Sequence, residues 1–266
     1  MTQTPAPAQP AHPAHLFIVT GSSRGLGAAL VAQLLQPGHA VLGLARRHNE
    51  ALQAHAAASG VALTQWPVDL AEPLQAAERL ADWLAGFDPA QLRSATLVNN
   101  AGTVGVPAPL GQVPLAELAR ASRVGLEAAL LLTASFLAAT AAWPATTRRV
   151  LNISSGLGRR AMAGSAAYCA AKAGMDHFSR AVAMEEAARP DGRPGARIVS
   201  MAPGVIDTDM QAQLRGADAA QFPERERFAQ LHAQGQLMSP ADCARQLLAR
   251  LDRADFGREV IADLRD

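Results

Sequence analysis

The stretch HLFIVTGSSRGLGAAL, residues 15–30, decides the fold class of this 266-residue chain. It begins with a continuous apolar run that predicts a buried strand, and it continues into a helical pattern. Between the two lie three glycines, Gly21, Gly25 and Gly27. Glycine permits a tight turn and close approach to a pyrophosphate, and the helix that follows offers free N–H groups to phosphate oxygens. We therefore expect a dinucleotide-binding turn; the alternative is an ordinary glycine-rich βα turn.

The rest of the chain alternates strand-like runs with helical stretches. The strand-like runs are HLFIVT (15–20), AVLGLA (40–45), VALTQWPV (61–68), ATLVNN (95–100), RVLNIS (149–154), ARIVSM (196–201) and REVIA (258–262). The helical stretches are Leu26–Leu35, Leu74–Leu84, Leu115–Ala142, Ala166–Ala188 and Pro240–Leu251, the last with Ser239 as its N-cap. Continuously apolar runs are typical of strands covered on both faces. The pattern predicts a single-domain α/β fold, a Rossmann-type doubly wound parallel sheet of about seven strands with helices on both faces.

Composition and charge narrow the possible partners. Hydrophobic residues make up 49% of the chain and charged residues 18%, so a large core can be buried. The net charge of +1 gives no electrostatic reason to expect nucleic acid or a membrane as partner. The first fourteen residues, MTQTPAPAQPAHPA, lack the pattern of a signal peptide. We expect a loose or disordered tail at 1–14 and one domain at 15–266.

Two further features bear on location and assembly. Cys169 and Cys243 show no metal-ligand spacing, so we expect a cytoplasmic protein without a metal site. The uncharged run from Ala128 to Trp143 is shorter than the ~20 residues of a membrane span. It predicts a helix buried in the core or against a second subunit. Together with the Ala-rich stretch 166–188, it predicts a homodimer or homotetramer.

The end of the second strand indicates which cofactor binds. A nicotinamide cofactor without the 2′-phosphate needs an acidic residue there. The sequence reads LARRHNE (44–50), with Arg46 and Arg47, and Arg24 lies in the glycine turn. Guanidinium groups bind phosphate in bidentate fashion, so the sequence predicts NADP(H) rather than NAD(H), with Arg47 as the arginine most easily read as a surface residue. Asp69 either accepts a hydrogen bond from the adenine amino group or caps the next helix, or does both.

Tyr168 is the only tyrosine of the chain, and Lys172 is the only lysine. They stand four positions apart in a helical stretch and so share a helix face. An ammonium group near a phenol favours the phenolate, so we expect Tyr168 to titrate below a free tyrosine and to serve as a general acid or base. The alternative is coincidence in an arginine-rich composition. Ser154, Ser155 and Gly156 follow a strand end, where one serine can bind a substrate carbonyl oxygen.

These residues together resemble the short-chain dehydrogenase/reductase family over nearly the whole chain after the tail. TGSSRGLG (20–27) resembles the family's glycine turn, NNAG (99–102) its fourth-strand motif, and APGVIDTDM (202–210) its nicotinamide-holding segment. The catalytic serine of the family stands thirteen positions before the tyrosine, which selects Ser155. The resemblance implies that Tyr168 protonates a carbonyl, Ser155 orients it and Lys172 binds the nicotinamide ribose.

The resemblance also implies the contacts of the cofactor and substrate. The cofactor-binding residues it implies are Gly21, Ser23, Arg24, Gly25, Leu26, Gly27, Arg46, Asp69, Leu70, Asn99, Ala101, Gly102, Tyr168, Lys172, Pro203, Gly204, Ile206 and Thr208. The substrate-binding residues it implies are Ser155, Gly156, Tyr168, Gly204 and Asp263. Thr208 is expected to contact the carboxamide.

Within the family, the C-terminal third is most similar to sepiapterin reductases and bacterial benzil (1,2-diketone) reductases. PGVIDTDMQ (203–211) and GREVIADLRD (257–266) carry this similarity. It implies that Asp263 anchors a pterin-like substrate; the alternative is a solvated terminal charge. The expected activity is NADPH-dependent reduction of a small dicarbonyl or pterin-like ketone.

One position departs from the family pattern. Gly125, in RVGLEA (123–128), stands where the family carries an asparagine that holds a water in its proton relay, so that relay is in doubt. Two alternatives to the carbonyl reductase stay open. One is an alcohol dehydrogenase or 3-ketoacyl-type reductase on the same scaffold, and the other is a non-catalytic NADP-binding sensor.

Overall fold

Seven parallel strands form one sheet in the computed structural model, which describes residues 13–143 and 146–266. In chain order they are His15–Thr20 (β1), His39–Ala45 (β2), Ala62–Pro67 (β3), Ser94–Asn99 (β4), Thr147–Ile153 (β5), Arg197–Ala202 (β6) and Ile261–Asp263 (β7). Their spatial order is β3-β2-β1-β4-β5-β6-β7. The order reverses between β1 and β4, and the carboxyl ends of these two strands open the crevice where such sheets bind ligands. The predicted fold class is confirmed.

The two faces of the sheet carry separate cores because each central strand is apolar throughout. In β1, Phe17 and Val19 point into one core, whereas Leu16 and Ile18 point into the other. A half-exposed strand would alternate apolar and polar residues instead. This arrangement requires helices on both faces.

Nine helices are described in residues 13–143 and 146–266. They are Gly25–Leu34 (α1), Glu50–Ser59 (α2), Pro73–Ala85 (α3), Leu115–Ser122 (α4), Ala128–Thr140 (α5), Ala166–Ala187 (α6), Asp209–Arg215 (α7), Arg225–Ala233 (α8) and Pro240–Leu251 (α9). The prediction that Ser239 caps α9 is confirmed, since its hydroxyl accepts from the Asp242 N–H at 3.0 Å. The sequence analysis did not predict α2, α7 or α8.

Helices α1 and α9 cover one face, and α3 and α5 cover the other. Leu30 and Leu247 are fully buried in the first core, and Leu80 and Phe136 in the second. Cys243 lies in the first core, where burial raises the pKa of its thiol to about 12. Its role is therefore packing.

The predicted tail at 1–14 falls mostly outside the described residues. Of its last two residues, Ala14 is attached to the sheet: its N–H donates to Gly38 at 2.8 Å, and its carbonyl accepts from Arg93 at 2.8 Å. The hydrogen bonding of the sheet thus includes Ala14, one residue before the predicted boundary at residue 15.

A continuous helical segment of 26 residues, Leu115–Thr140, joins α4 and α5 through a π-helical turn at Arg123–Glu127. By length and hydropathy it is the one segment among the described residues that could span a membrane. In the fold its α5 part is a core helix, with Leu132 and Phe136 buried against α3 and the sheet.

Candidate active site

A cleft of about 670 Å³ lies at the carboxyl ends of the central strands. The loops after β1, β4, β5 and β6 form its walls, together with the first turn of α1, part of α6, and α7. It is the crevice expected where the strand order of a doubly wound sheet reverses. All residues predicted to bind cofactor or substrate line it except Asn99 and Asp263.

The glycine turn at one end of this cleft can only be built from glycine. Gly21 and Gly25 have φ angles of +69° and +54°, in the left-handed region that other residues avoid. A Cβ on Gly27 would lie 2.1 Å from the Gly21 carbonyl oxygen. The turn therefore brings the start of α1 against the backbone of β1, with its N-terminal N–H groups facing the cleft.

The basic residues predicted to contact the 2′-phosphate differ in their surroundings. Arg46 lines the cleft and is exposed, whereas Arg47 does not line it. Arg24 donates to Asp209 of α7 at 2.5 Å, which links the glycine turn to the far wall. Arg46 is therefore the best-placed guanidinium for a phosphate. The residues present fit a phosphorylated dinucleotide, with the glycine turn for the pyrophosphate and Arg46 for the 2′-phosphate.

Asp69 lies at the same end of the cleft. One carboxylate oxygen accepts from the Ala71 N–H at 3.0 Å, and the other lies 3.4 Å from an Arg120 guanidinium nitrogen. Helix α3 begins at Pro73, after Glu72. The alternative that Asp69 caps the next helix is therefore wrong, and its contact with adenine stays a prediction.

Asn99 supports the cleft from below. It is buried, and its amide donates to Asn152 at 2.8 Å and to Thr133 at 3.0 Å. Its neighbour Asn100 lines the cleft instead and donates its amide to the Thr20 carbonyl at 2.9 Å. Successive strand residues point to opposite sides of a sheet. The two adjacent asparagines of NNAG therefore indicated that one would point into the fold and the other into the cleft.

Tyr168, Lys172 and Ser155 meet at the other end of the cleft. Tyr168 and Lys172 lie one turn apart on α6, and Ser155 follows β5. The Lys172 ammonium is buried, donates to the Ile153 carbonyl at 2.6 Å and lies 5.7 Å from the centre of the Tyr168 ring. The predicted side chains are thus brought together, with the phenol and the serine hydroxyl facing the same space.

The electrostatic part of the prediction is wrong. Burial raises the pKa of Tyr168, and the neighbouring Ser155 hydroxyl only partly opposes it. Lys172 gives up its own proton more easily, because burial lowers its pKa to about 8 against the attraction of Asp176. Its ammonium is bonded to a backbone carbonyl rather than to the phenol. Tyr168 is therefore neutral near pH 7 and carries the proton needed by a general acid.

The comparisons with known proteins agree with this geometry. Residues 15–219 match the family model for short chain dehydrogenases. The chain belongs to the short-chain dehydrogenase family. It is 34% identical to benzil reductase ((S)-benzoin forming) from Bacillus cereus, over 92% of this chain and 97% of the relative. It is 32% identical to sepiapterin reductase from Rattus norvegicus, over 94% and 95%.

A solved dehydrogenase structure from Agrobacterium tumefaciens with bound NADP superposes with a TM-score of 0.75 at 27% identity, and the match covers 94% of each chain. The resemblance inferred from the sequence motifs is thereby confirmed, including the similarity to benzil and sepiapterin reductases. This short-chain dehydrogenase is an oxidoreductase.

Asp176 is a residue of the dehydrogenase site that sequence reasoning missed. It stands one turn beyond Lys172 on α6 and is buried. Ser154 and Ser200 donate their hydroxyls to one of its oxygens at 2.6 Å and 2.7 Å, and Arg159 donates to the other at 3.3 Å. The carboxylate ties the helix of Tyr168 to the ends of β5 and β6. Its spacing of four from Lys172 was the available signal.

Gly125 has a steric reason in this dehydrogenase. It lies buried in the π-helical turn, where a Cβ would approach the Cβ of Ala171 to 3.0 Å. Ala171 directly precedes Lys172 on α6. A larger residue at position 125 would push against Ala171. Glycine, in place of the family's asparagine, therefore lets the π-helical turn pack tightly against α6.

The half of the cleft beyond Tyr168, where a substrate is expected and which we call the substrate half, has an apolar wall and basic edges. Leu157, Met162, Leu214 and Phe228 form the apolar cluster at this wall. Arg160, Arg227 and Arg265 line the same cleft. Asp263 lies behind this edge: its two oxygens accept from Arg265 at 2.7 Å and 2.6 Å.

A first prediction concerns the buried charge of Lys172. Its pKa is about 8 in the folded protein against 10.5 for the free side chain. Burial of the ammonium therefore destabilises the folded protein below pH 8. The free energy of unfolding rises between pH 8 and 10.5, because in this range the unfolded chain binds the proton more tightly than the folded protein does. Lys172→Met should raise the free energy of unfolding at pH 7 by up to about 3 kcal/mol.

This gain should vanish by pH 10.5. Urea unfolding of both proteins across this pH range measures it. Arg253→Met, which removes an exposed cation of the Asp255 ion pair, serves as control and should show no such pH-dependent difference. If the difference in unfolding free energy between Lys172→Met and the unmodified protein stays constant from pH 7 to 10.5, burial does not destabilise the charged form of Lys172.

Proposed function

We propose that this protein is an NADPH-dependent carbonyl reductase acting on a small dicarbonyl or pterin-like ketone. The observation that carries the proposal is the meeting of Ser155, Tyr168 and Lys172 in the cleft that also contains the glycine turn and Arg46. The similarity to benzil and sepiapterin reductases supports the substrate class. The bound NADP of the Agrobacterium tumefaciens structure supports the cofactor. We place the enzyme in the cytoplasm.

The chain's own residues supply binding and proton transfer. The bound cofactor provides the hydride. Tyr168 holds its proton near pH 7 and donates it to the carbonyl oxygen, which the Ser155 hydroxyl orients by a hydrogen bond. Lys172 lies close to the cleft floor at Gly102, where a nicotinamide ribose is expected, and supplies a positive charge as oxyanion character develops.

Turnover with a diketone tests the proposal. NADPH absorbance should fall steadily with benzil or 1-phenyl-1,2-propanedione and stay constant without them. A simple ketone or a 3-ketoacyl thioester preferred over every diketone would favour the alternative reductases on the same scaffold. Tight NADPH binding with no oxidation in a panel of diketones, quinones, pterins and β-ketoesters would favour the non-catalytic sensor.

The cofactor preference gives a second prediction. Losing a charge-assisted hydrogen bond to phosphate costs ~1.5–3 kcal/mol, so NADPH should bind at least about tenfold more tightly than NADH. Arg46→Ala should remove most of this preference by weakening NADPH alone. Arg47→Ala is the matched control, because its side chain does not line the cleft. Fluorescence titrations of the three proteins with both cofactors measure the six dissociation constants. Equal affinities of the unmodified protein for NADPH and NADH would contradict the prediction.

Assembly gives a third prediction. Large apolar side chains are exposed on the two helices whose sequence predicted assembly, with Leu130 of α5 at 44% and Met184 of α6 at 73%. Burying them against a second copy would remove this apolar surface from water. Light scattering should therefore give the mass of a homodimer or homotetramer. A monomer at assay concentration would rule this out.

A further inference from the structure

The two acidic residues that line the cleft each form an ion pair with an arginine in the half that contains the glycine turn, which we call the cofactor half. They are Asp69, near Arg120, and Asp209, bound by Arg24. In the part of the chain that the structure describes, no carboxylate lines the substrate half, although three arginines do. Of these arginines, Arg227 is paired with Glu224 at 3.1 Å and Arg265 with Asp263 at 2.6 Å. Arg160 has no described carboxylate partner, and an uncharged substrate would not need an unpaired guanidinium group in this half.

Arg160 is the arginine of this half that lies against the loop of Ser155. Its Nε lies 4.0 Å from the position of a Cβ on Gly156, the residue after Ser155. No described carboxylate lies within ion-pair distance of its guanidinium group, whereas its neighbour Arg159 is held by Asp176. Arg160 is exposed, so the N–H donors of its guanidinium group are accessible to a ligand in the cleft.

Arg265 approaches the same space from the nicotinamide side. Its Cδ lies 3.6 Å from the position of a Cβ on Gly204, a glycine with φ of +82°. Asp263 binds its Nε and Nη2, which orients the guanidinium and leaves Nη1 without a described partner. Asp263 in turn lies 4.0 Å from Arg159, whose Nη2 donates to the Ala262 carbonyl at 2.8 Å. The guanidinium of Arg265 is thus held in place before a substrate arrives.

The remaining wall of the substrate half is apolar, with Leu157, Met162 and Phe228. A ligand that matches both features has an apolar body and an anionic group close to its ketone. A carboxylate is an anion that a guanidinium group binds in a planar, bidentate way, and it can stand directly beside a ketone carbon.

We propose that the substrate half is a carboxylate subsite formed by Arg160 and Arg265, and that the preferred substrate is a 2-oxo carboxylate with an apolar body. The inference rests on the proposed function and narrows its dicarbonyl class to one whose second carbonyl is a carboxylate. In the reaction, hydride from NADPH adds to C2 and breaks the C=O π bond, and the Tyr168 proton joins the oxygen. The products are a 2-hydroxy carboxylate and NADP⁺.

Phenylglyoxylate and its methyl ester are matched probes, because they differ in the charge beside the ketone. Arg160→Met should lower kcat/KM for phenylglyoxylate at least about tenfold, the loss of one charge-assisted hydrogen bond. The ester should change by no more than about twofold. Arg253→Met, remote from the cleft, should leave both unchanged. Equal loss with both probes, or no loss with phenylglyoxylate, would overturn the subsite.

Binding without turnover separates this inference from the proposed function. Calorimetry of phenylglyoxylate with the NADP⁺-loaded protein should show affinity that Arg160→Met lowers at least about tenfold. If the ester is reduced but phenylglyoxylate neither binds nor reacts, the subsite is wrong and the carbonyl reductase stands. If neither probe is reduced but phenylglyoxylate binds through Arg160, the subsite stands and the reductase fails.

Asp263→Asn distinguishes the two roles proposed for Asp263. If Asp263 positions Arg265, the variant should weaken phenylglyoxylate binding and spare the ester. If it anchors N–H groups directly, the variant should raise KM for a pterin-like ketone and leave phenylglyoxylate binding unchanged. The latter result would remove Arg265 from the carboxylate subsite.

Discussion

Tyr168→Phe should retain cofactor binding and lose nearly all turnover. The substitution keeps the ring in the cleft and removes only the hydroxyl that carries the proton. General acids contribute about 10²- to 10⁴-fold to rate, and with the phenol neutral near pH 7 the full factor is at stake. We expect kcat with a diketone to fall by at least about 10³-fold. NADPH affinity should stay within about twofold.

Stopped-flow and steady-state NADPH absorbance measure the rate, and fluorescence titration measures binding. Ser122→Ala, which removes an exposed hydroxyl of α4 outside the cleft, is the matched control and should turn over like the unmodified protein. If Tyr168→Phe reduces diketones at a comparable rate, another group donates the proton.

Gly27→Ala should weaken cofactor binding about 10- to 100-fold. The added methyl group would lie 2.1 Å from the Gly21 carbonyl oxygen and 2.6 Å from the Asn100 amide. The first of these is backbone, so the glycine turn itself must open to make room. Overpacking of ~1–3 kcal/mol at this point corresponds to a loss of about 10- to 100-fold in NADPH affinity.

Thermal unfolding and NADPH titration of the variant test this. Gly111→Ala is the control, since a Cβ there meets nothing within 4 Å and the residue has no positive φ. It should bind NADPH and melt like the unmodified protein. Unchanged affinity in Gly27→Ala would show that the turn does not hold the pyrophosphate.

Much of the site could be predicted because its signals are local. Gly21, Gly25 and Gly27 shape the turn through their own backbone, and the positive φ angles of the first two follow from residue type. Tyr168 and Lys172 lie on one helix face because four residues make about one turn. The choice of Ser155 came from its distance to Tyr168 in the family motif. For the glycines and for the pair of Tyr168 and Lys172, neighbours in sequence decide the geometry.

The missed features depend on residues far apart in the chain. Asp176 matters because Ser154 and Ser200, 22 and 24 positions away, donate to it. Asp263 faces Arg265 rather than the cleft, so its substrate contact stays a prediction. Asn99 points into the sheet while Asn100 reaches the cleft. The sequence contained both asparagines but not the side to which each one points.

The sequence by itself determined the strand-and-helix order, the glycine turn and the pairing of Tyr168 with Lys172, because apolar runs and fixed spacings act over a few residues. The tertiary structure decided the strand order and the partner of every buried charge. It also decided the direction of the Tyr168 pKa, since the cost of removing a group from water depends on everything packed around it. The spacing of four residues places the Lys172 ammonium near the Tyr168 phenol. Only the fold determines that the ammonium donates its hydrogen bond to the Ile153 carbonyl instead of the phenol.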